Sequence, residues 1–161
     1  MQQIQTMTEQ SSGDSHEVFI LDNIFKNIVN MNFDNLLLNR ISDMARKNPR
    51  KRQRYDLRDS EDDTCMRMLN AIEPETVIPI HRHTMTSEDV VVLRGKAEEV
   101  LYDDNGNEVD RILMVPGSEC MGCHVPKGQY HTCLSLESGT VIIEFKNTKY
   151  DPEKSEELFN K

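Results

Sequence analysis

Two histidines one residue apart, His81 and His83, open the segment His81-Arg82-His83-Thr84-Met85-Thr86-Ser87-Glu88. On a β-strand, side chains at i and i+2 face the same side, so both imidazoles project together while Arg82 points away. A short turn lets the following strand bring the Glu88 carboxylate back beside them. A third imidazole, His131, follows the turn Pro126-Lys127-Gly128 and heads a further strand. Alone, a His-x-His pair reads as two surface or partly buried histidines. Joined by Glu88 and His131 it becomes a mixed N/O donor set for one divalent transition metal: Fe, Mn, Ni, Co or Zn. An octahedral ion held by four such donors keeps two positions for water, substrate or O₂. It can then polarise a hydroxyl or carbonyl oxygen. The histidines must be neutral to bind, so protons compete with the metal.

Other side chains belong with this set by spacing. Cys133 is two residues past His131 and shares its face, either lining the site or packing as a buried thiol. In the stretch 140–146, Glu144 and Lys146 share one face and Ile143 and Phe145 the other. The apolar pair is expected in the core; if the polar pair points inward instead, it reaches the ligand. Residues 46–54 carry six basic residues in nine. They read as a solvated loop or as a cationic arm in which Arg50, Arg52 and Arg54 grip an anionic ligand. Arginine suits phosphate and carboxylate through its two parallel donors. Cys120-Met121-Gly122-Cys123-His124 matches a haem-attachment pattern, but that attachment belongs outside the cytoplasm. No export signal accompanies it here. Glu144 and His124 are the candidate general bases by residue type.

The elements that must position these groups follow from periodicity and turn signals. Phe33, Leu36, Leu37, Ile41, Met44 and Ala45 recur at helical spacing, with Asn32 or Asp34 as cap and Pro49 as stop. Residues 1–16 are polar and aperiodic and are expected to form a disordered tail. The apolar stretch from Val18 to Phe25 is expected to form one strand or helical turn. Beyond Pro49, short strands are predicted near 66–70, 77–83, 90–93, 97–102, 109–115, from Tyr130 onward, and over 140–146. Asp103-Asp104-Asn105-Gly106 marks a tight turn. Six to eight short strands with one helix in front predict a mostly β barrel or jelly roll.

Composition narrows the function classes. The chain has 161 residues, enough for one domain, and a formal charge of −9. That balance argues against nucleic-acid binding, which needs a positive footprint. No apolar run approaches the ~20 residues of a membrane span, and the N-terminal residues lack the features of a signal peptide. The cytoplasm and four reduced cysteines are the expectation. A homodimer is expected from exposed strand edges.

The sequence resembles the cupin superfamily. His81, His83, Glu88 and Gly95 match the first cupin motif, G-x5-H-x-H-x3,4-E-x6-G, with Glu75 in place of its first Gly. Pro126, Gly128 and His131 match the second, G-x5-P-x-G-x2-H-x3-N, with Cys120 and Ser135 replacing its ends. More narrowly, the chain is similar to the WbuC family over about 18–152. The marks are Asn48-Pro49-Arg50-Lys51-Arg52, the segment 66–74, His81-Arg82-His83, Val91-Val92-Leu93-Arg94-Gly95, His131-Thr132, Glu144-Phe145-Lys146 and Tyr150-Asp151-Pro152. His124 stands where that family is expected to carry a Glu. The resemblance implies a cupin-type double-stranded β-helix, with 17–50 as a helical segment packed on the barrel and 51–161 as the barrel with a short C-terminal tail. It also implies a bound metal and a place in surface-polysaccharide metabolism, with basic residues near 50–54. The expected activity is metal-assisted isomerisation or oxidation of a small anionic or sugar-derived metabolite. The alternatives are a non-catalytic metal-dependent binding module and a metal-free sugar epimerase-like barrel.

Overall fold

Asp34 caps helix α1 (Asn35–Lys47): its Oδ1 accepts the Leu37 amide at 3.0 Å and so satisfies an orphan donor of the first turn. Arg46 and Lys47 fill the last turn, where cations meet the negative helix end. The computed structural model describes residues 32–148 and 157–159. The expectations for 1–16 and for Val18 to Phe25 lie outside the described residues. The buried stripe of α1 is Leu37, Leu38, Ile41, Ser42 and Ala45. Phe33 and Leu36, expected in that stripe, are exposed. The helix is turned so that Leu38 and Ser42, four apart, face the sheet instead.

Ten strands follow among the described residues: β1 (Arg52–Asp56), β2 (Met66–Ile72), β3 (His81–Arg82), β4 (Glu88–Arg94), β5 (Ala97–Tyr102), β6 (Glu108–Met114), β7 (Gly122–Val125), β8 (Tyr130–Ser135), β9 (Thr140–Lys146) and β10 (Glu157–Leu158). They form two antiparallel sheets, ordered β1-β2-β9-β4-β7 and β10-β3-β8-β5-β6. From β2 onward the chain passes between the sheets at every connection except the β5–β6 hairpin. This is the expected jelly-roll barrel with a helix before it, and α1 lies against β1, β2 and β9. No helix among the described residues is long and apolar enough to cross a membrane.

Strand alternation sets what faces the interior. On β4 and β9 the register pairs Glu88 with Lys146, Val90 with Glu144 and Val92 with Ile142. On β5 and β8 it pairs Leu101 with His131, Glu99 with Cys133 and Ala97 with Ser135. The interior therefore grades from a polar end to an apolar end, where Ile72, Val90, Val92, Ala97, Met114, Cys133 and Ile142 pack together.

Three elements differ from the sequence expectation. The predicted strand over 77–83 shrinks to His81–Arg82, because Pro79 has no N–H for the ladder. Part of the basic run is a strand, β1, at a sheet edge where charges are tolerated; its Tyr55 is buried. The expected C-terminal tail contributes β10, which pairs with β3 and places Leu158 opposite His81. Arg82 donates to Glu157 at 2.7 Å and stacks over Tyr130, on the face away from His81 and His83.

Two devices hold the helix and turns in place. Gly95 has φ +83°, and a Cβ there would meet the Thr140 hydroxyl at 2.4 Å, so only glycine fits. Next to it, Arg94 donates to Leu38 O at 2.8 Å, Ser42 Oγ at 2.5 Å, Asn39 Oδ1 at 2.7 Å and Gly139 O at 3.1 Å. This guanidinium ties the helix to the barrel. Arg94→Ala is expected to lower stability by about 1–3 kcal/mol, read as a lower urea midpoint with unchanged slope. Metal content should stay the same. An unshifted midpoint would show that the clamp is idle.

Candidate metal centre

The polar end of the barrel is built by both sheets. His81 ends its loop on β3 and faces His131 of β8 as a directly paired residue. His83 follows two residues after His81, just past β3. Glu88 opens β4 in the other sheet. All four side chains are buried, and one donor atom from each lies within 4.8 Å of the others. His131 Nε2 is 3.0 Å from Glu88 Oε2, and His83 Nε2 is 3.3 Å from the same oxygen. The ring centroids of His81 and His131 are 4.3 Å apart. The residues expected to share one ion are thus brought together.

Backbone carbonyls decide the tautomers. His81 Nδ1 lies 2.9 Å from Pro79 O, and His131 Nδ1 lies 3.0 Å from Gln129 O. A carbonyl only accepts, so each Nδ1 carries the proton and each Nε2 is left as the basic nitrogen. Donation from the far ring nitrogen to a carbonyl is how ligand histidines are oriented. In neutral His131, the Nε2 lone pair then faces a carboxylate oxygen at 3.0 Å. Two acceptors at that separation need a cation between them, either a proton or a metal ion. Bonds of about 2.1 Å at right angles put neighbouring ligand atoms about 3 Å apart, close to the two contacts on Glu88 Oε2. The donor set therefore fits a divalent metal. The other carboxylate oxygen, Oε1, accepts from Lys146 Nζ at 2.8 Å.

Burial works against charge on Glu88, yet hydrogen bonds from His131 and His83 and the Lys146 ammonium hold its carboxyl well below the usual range. Burial likewise lowers the His131 imidazole, but its bond to Glu88 and the Glu88 charge outweigh this, and the net shift is upward. Without metal, His131 therefore tends to hold the proton that a metal must displace.

A cavity of about 190 Å³ opens beside the four ligands and is lined by Arg50, Arg52, Arg54, Asn70, Glu99, Cys133, Glu144 and Lys146, among others. Arg52 and Arg54 reach it from alternate positions of β1. Cys133 lines it as spacing suggested. The expectation that Ile143 and Phe145 point inward is corrected: Glu144 and Lys146 face the cavity. The apolar pair lies on the opposite face of the strand, toward the side where α1 packs and where Ile143 is also buried. Burial, then the Glu88 charge, pushes the Glu144 carboxyl up, against Lys146, Arg54 and Arg52. His124 does not line the cavity; it is exposed and meets Asp89 at 2.7 Å. Cys120 and Cys123 both pack against the core, so His124 points away from the two cysteines of the Cys-x-x-Cys-His segment. Glu99 is a cavity residue that sequence reasoning missed. Period two places it on one face with Ala97 and Leu101, while the neighbouring Val100 is buried on the other.

Residues 33–114, just over half of the chain, match the family described as domain of unknown function (DUF6016). That span holds His81, His83 and Glu88 and stops before His131. No curated protein matches the sequence. Among solved structures, the capsular polysaccharide assembling protein CapF from Staphylococcus aureus superposes with a TM-score of 0.59, at 20% identity, over 71% of this chain and 33% of that one. A point mutant of Bacillus subtilis oxalate decarboxylase OxdC superposes at 0.52, with 17% identity, over 66% and 27%. Oxalate oxidase in complex with the substrate analogue glycolate gives 0.55 at 15% identity, over 70% and 57%. This chain thus spans about a third of CapF. The likenesses show a shared fold, the cupin barrel.

Proton and metal compete for His131 Nε2, and its raised pKa moves that competition above the free-imidazole value of ~6.5. Equilibrium dialysis against Co²⁺ followed by elemental analysis is expected to give one ion per chain at pH 8 and progressively less toward pH 5. Glu88→Gln should bind markedly less at every pH. Metal content that stays level from pH 8 to pH 5 would contradict the tetrad as ligands.

Proposed function

We propose that this chain, which belongs to the DUF6016 family, is a metal-dependent cupin that binds a small anionic metabolite in the barrel cavity. One observation carries the reading. The buried His81, His83, Glu88 and His131 share a cavity with a row of arginines, in a chain whose overall charge is −9. An acidic protein that gathers Arg50, Arg52, Arg54 and Lys146 around one small space is suited to drawing an anion into it.

In this reading His81, His83, Glu88 and His131 hold one divalent transition metal. Bound there, the metal supplies Lewis-acid polarisation of a ligand oxygen, or a redox centre for oxidation. Lys146 fixes Glu88 by occupying Oε1 and leaves Oε2 toward the imidazoles. Arg52 and Arg54, two residues apart on an edge strand, line the cavity with side chains of the type that suits a carboxylate or phosphate. Asn70, the register partner of Arg54, adds an amide on the same wall. Glu144 lines the same cavity, 3.8 Å from Lys146 Nζ.

The metabolite is proposed to be sugar-derived and to belong to surface-polysaccharide metabolism, with isomerisation or oxidation as the reaction. The WbuC resemblance supports this, and CapF, one of the proteins sharing the fold, is a capsular polysaccharide assembling protein. The convergence of four ligand atoms on one point favours a metal over the epimerase-like alternative, in which a histidine would act alone as a base.

Malonate and inorganic phosphate serve as probes. Added to Co²⁺-loaded protein, at least one is expected to change the visible spectrum saturably. The double substitution Arg50→Ala with Arg52→Ala should weaken that binding by about tenfold, near 1.4 kcal/mol, and leave metal content unchanged. Loss of metal in the double variant would refute the division between ligands and arginine row. A spectrum indifferent to both probes would refute the anion site.

A further inference from the structure

Glu99 is 1% exposed and sits on β5 in the wall of the cavity. Neither of its carboxyl oxygens has a hydrogen-bond partner of ordinary geometry among the described residues. Its register partner on β8 is Cys133, whose thiol is at best a weak donor. Glu88, in the same cavity, is treated quite differently: it has Lys146 on one oxygen and two imidazoles on the other. An ionised carboxylate left buried without a donor or a cation costs far more than a neutral acid. The groups facing Glu99 are His131 and Cys133 on β8, Glu88 on β4, Glu144 on β9 and Cys123 on β7. Burial pushes its pKa up to about 8; His131 pulls against this, while Glu88 and Glu144 add to it.

A carboxyl that keeps its proton is a donor without a negative charge. That matters in a cavity lined by arginines. An ionised Glu99 would repel an incoming anion, whereas the acid form offers it an O–H. The group has one proton to give, and no acceptor of ordinary geometry among the described residues accounts for it. We propose that Glu99 is a specificity-determining residue whose carboxyl O–H donates a hydrogen bond to an acceptor oxygen of the anion held between the metal ligands and the arginine row. The proposal rests on the anion-site reading above. It narrows the ligand class to anions with a further acceptor oxygen, a second carboxylate, a phosphate or a hydroxyl, beyond the group that meets the arginines. A ligand presenting only C–H there leaves the Glu99 proton unmatched.

The test is the binding of malonate to Co²⁺-loaded protein, followed by the visible spectrum, in wild type, Glu99→Gln and Glu99→Leu. Glutamine keeps a neutral donor at the same place, and leucine keeps only volume. Glu99→Gln is expected to bind within about twofold of wild type, and Glu99→Leu about tenfold more weakly. Metal content and urea midpoint are measured on each. If Glu99→Leu loses metal or cooperative unfolding, Glu99→Met makes the same comparison with an unbranched chain. A glutamine variant as weak as leucine would mean that a charge acts there, and a leucine variant as tight as wild type would mean that nothing contacts Glu99. Either result overturns the proposal while the anion site stands. A wild type that binds no malonate, even where phosphate binds, overturns this assignment; one that binds neither probe removes the anion site as well.

Discussion

Glu88 is a carboxylate sealed inside a barrel, and its two oxygens are divided between two tasks. Oε2 faces the basic nitrogens of His131 and His83, and Oε1 takes the Lys146 ammonium. Glu88 and Lys146 come from one sheet, while His81 and His131 come from the other, so the arrangement joins the two halves of the sandwich. Burial alone would protonate such a group. The ring of donors prevents that, but at a cost: a lone pair on His131 looks straight at a carboxylate oxygen. Some cation must stand there. The same contact that holds a proton in the metal-free centre is the edge of a coordination shell once a metal ion is present. Strand pairing, tautomer-fixing carbonyls and the Lys146 contact can all be understood as means of keeping four atoms in this relation.

What sequence made legible was what depends on local spacing. His81 and His83 share a side because i and i+2 do so on extended chain, and that held even though the strand is only His81–Arg82. Glu88 and His131 follow turns whose residues announce them. The helix cap at Asp34 and the hairpin at Asp103 to Gly106 are likewise local chemistry. The cavity wall was less legible, for a physical reason. Both faces of β9 are covered, one by the barrel interior and one by α1, so the rule that apolar residues point inward had no single answer for Ile143 against Glu144. Glu99 was hidden in the same way, since Ala97, Val100 and Glu99 are all buried on a strand with no clean alternation. β1 and β10 depend on partners far away in sequence, and nothing in a basic run or a C-terminal tail announces a sheet edge waiting for it.

The distribution of charge connects the site to the whole chain. A surface that is acidic overall repels anions from everywhere except where cations are concentrated. Here that place is the cavity lined by Arg50, Arg52, Arg54 and Lys146. Four ligands that bring only one negative charge leave a divalent ion with positive charge to spare, and Lys146 offsets part of the single carboxylate. On the proposed reading, metal and anion therefore assist each other. The ion adds to the field that draws the anion, and the anion neutralises charge that the ligands leave unmet. Such assistance is reciprocal by thermodynamic necessity. It also explains why an uncharged acid at Glu99 suits this cavity better than a carboxylate or a lysine. A carboxylate would cancel the arginine row from within. A lysine would add one more cation beside a metal already short of negative ligands. A protonated carboxyl does neither, and it still supplies the direction that a bare charge lacks.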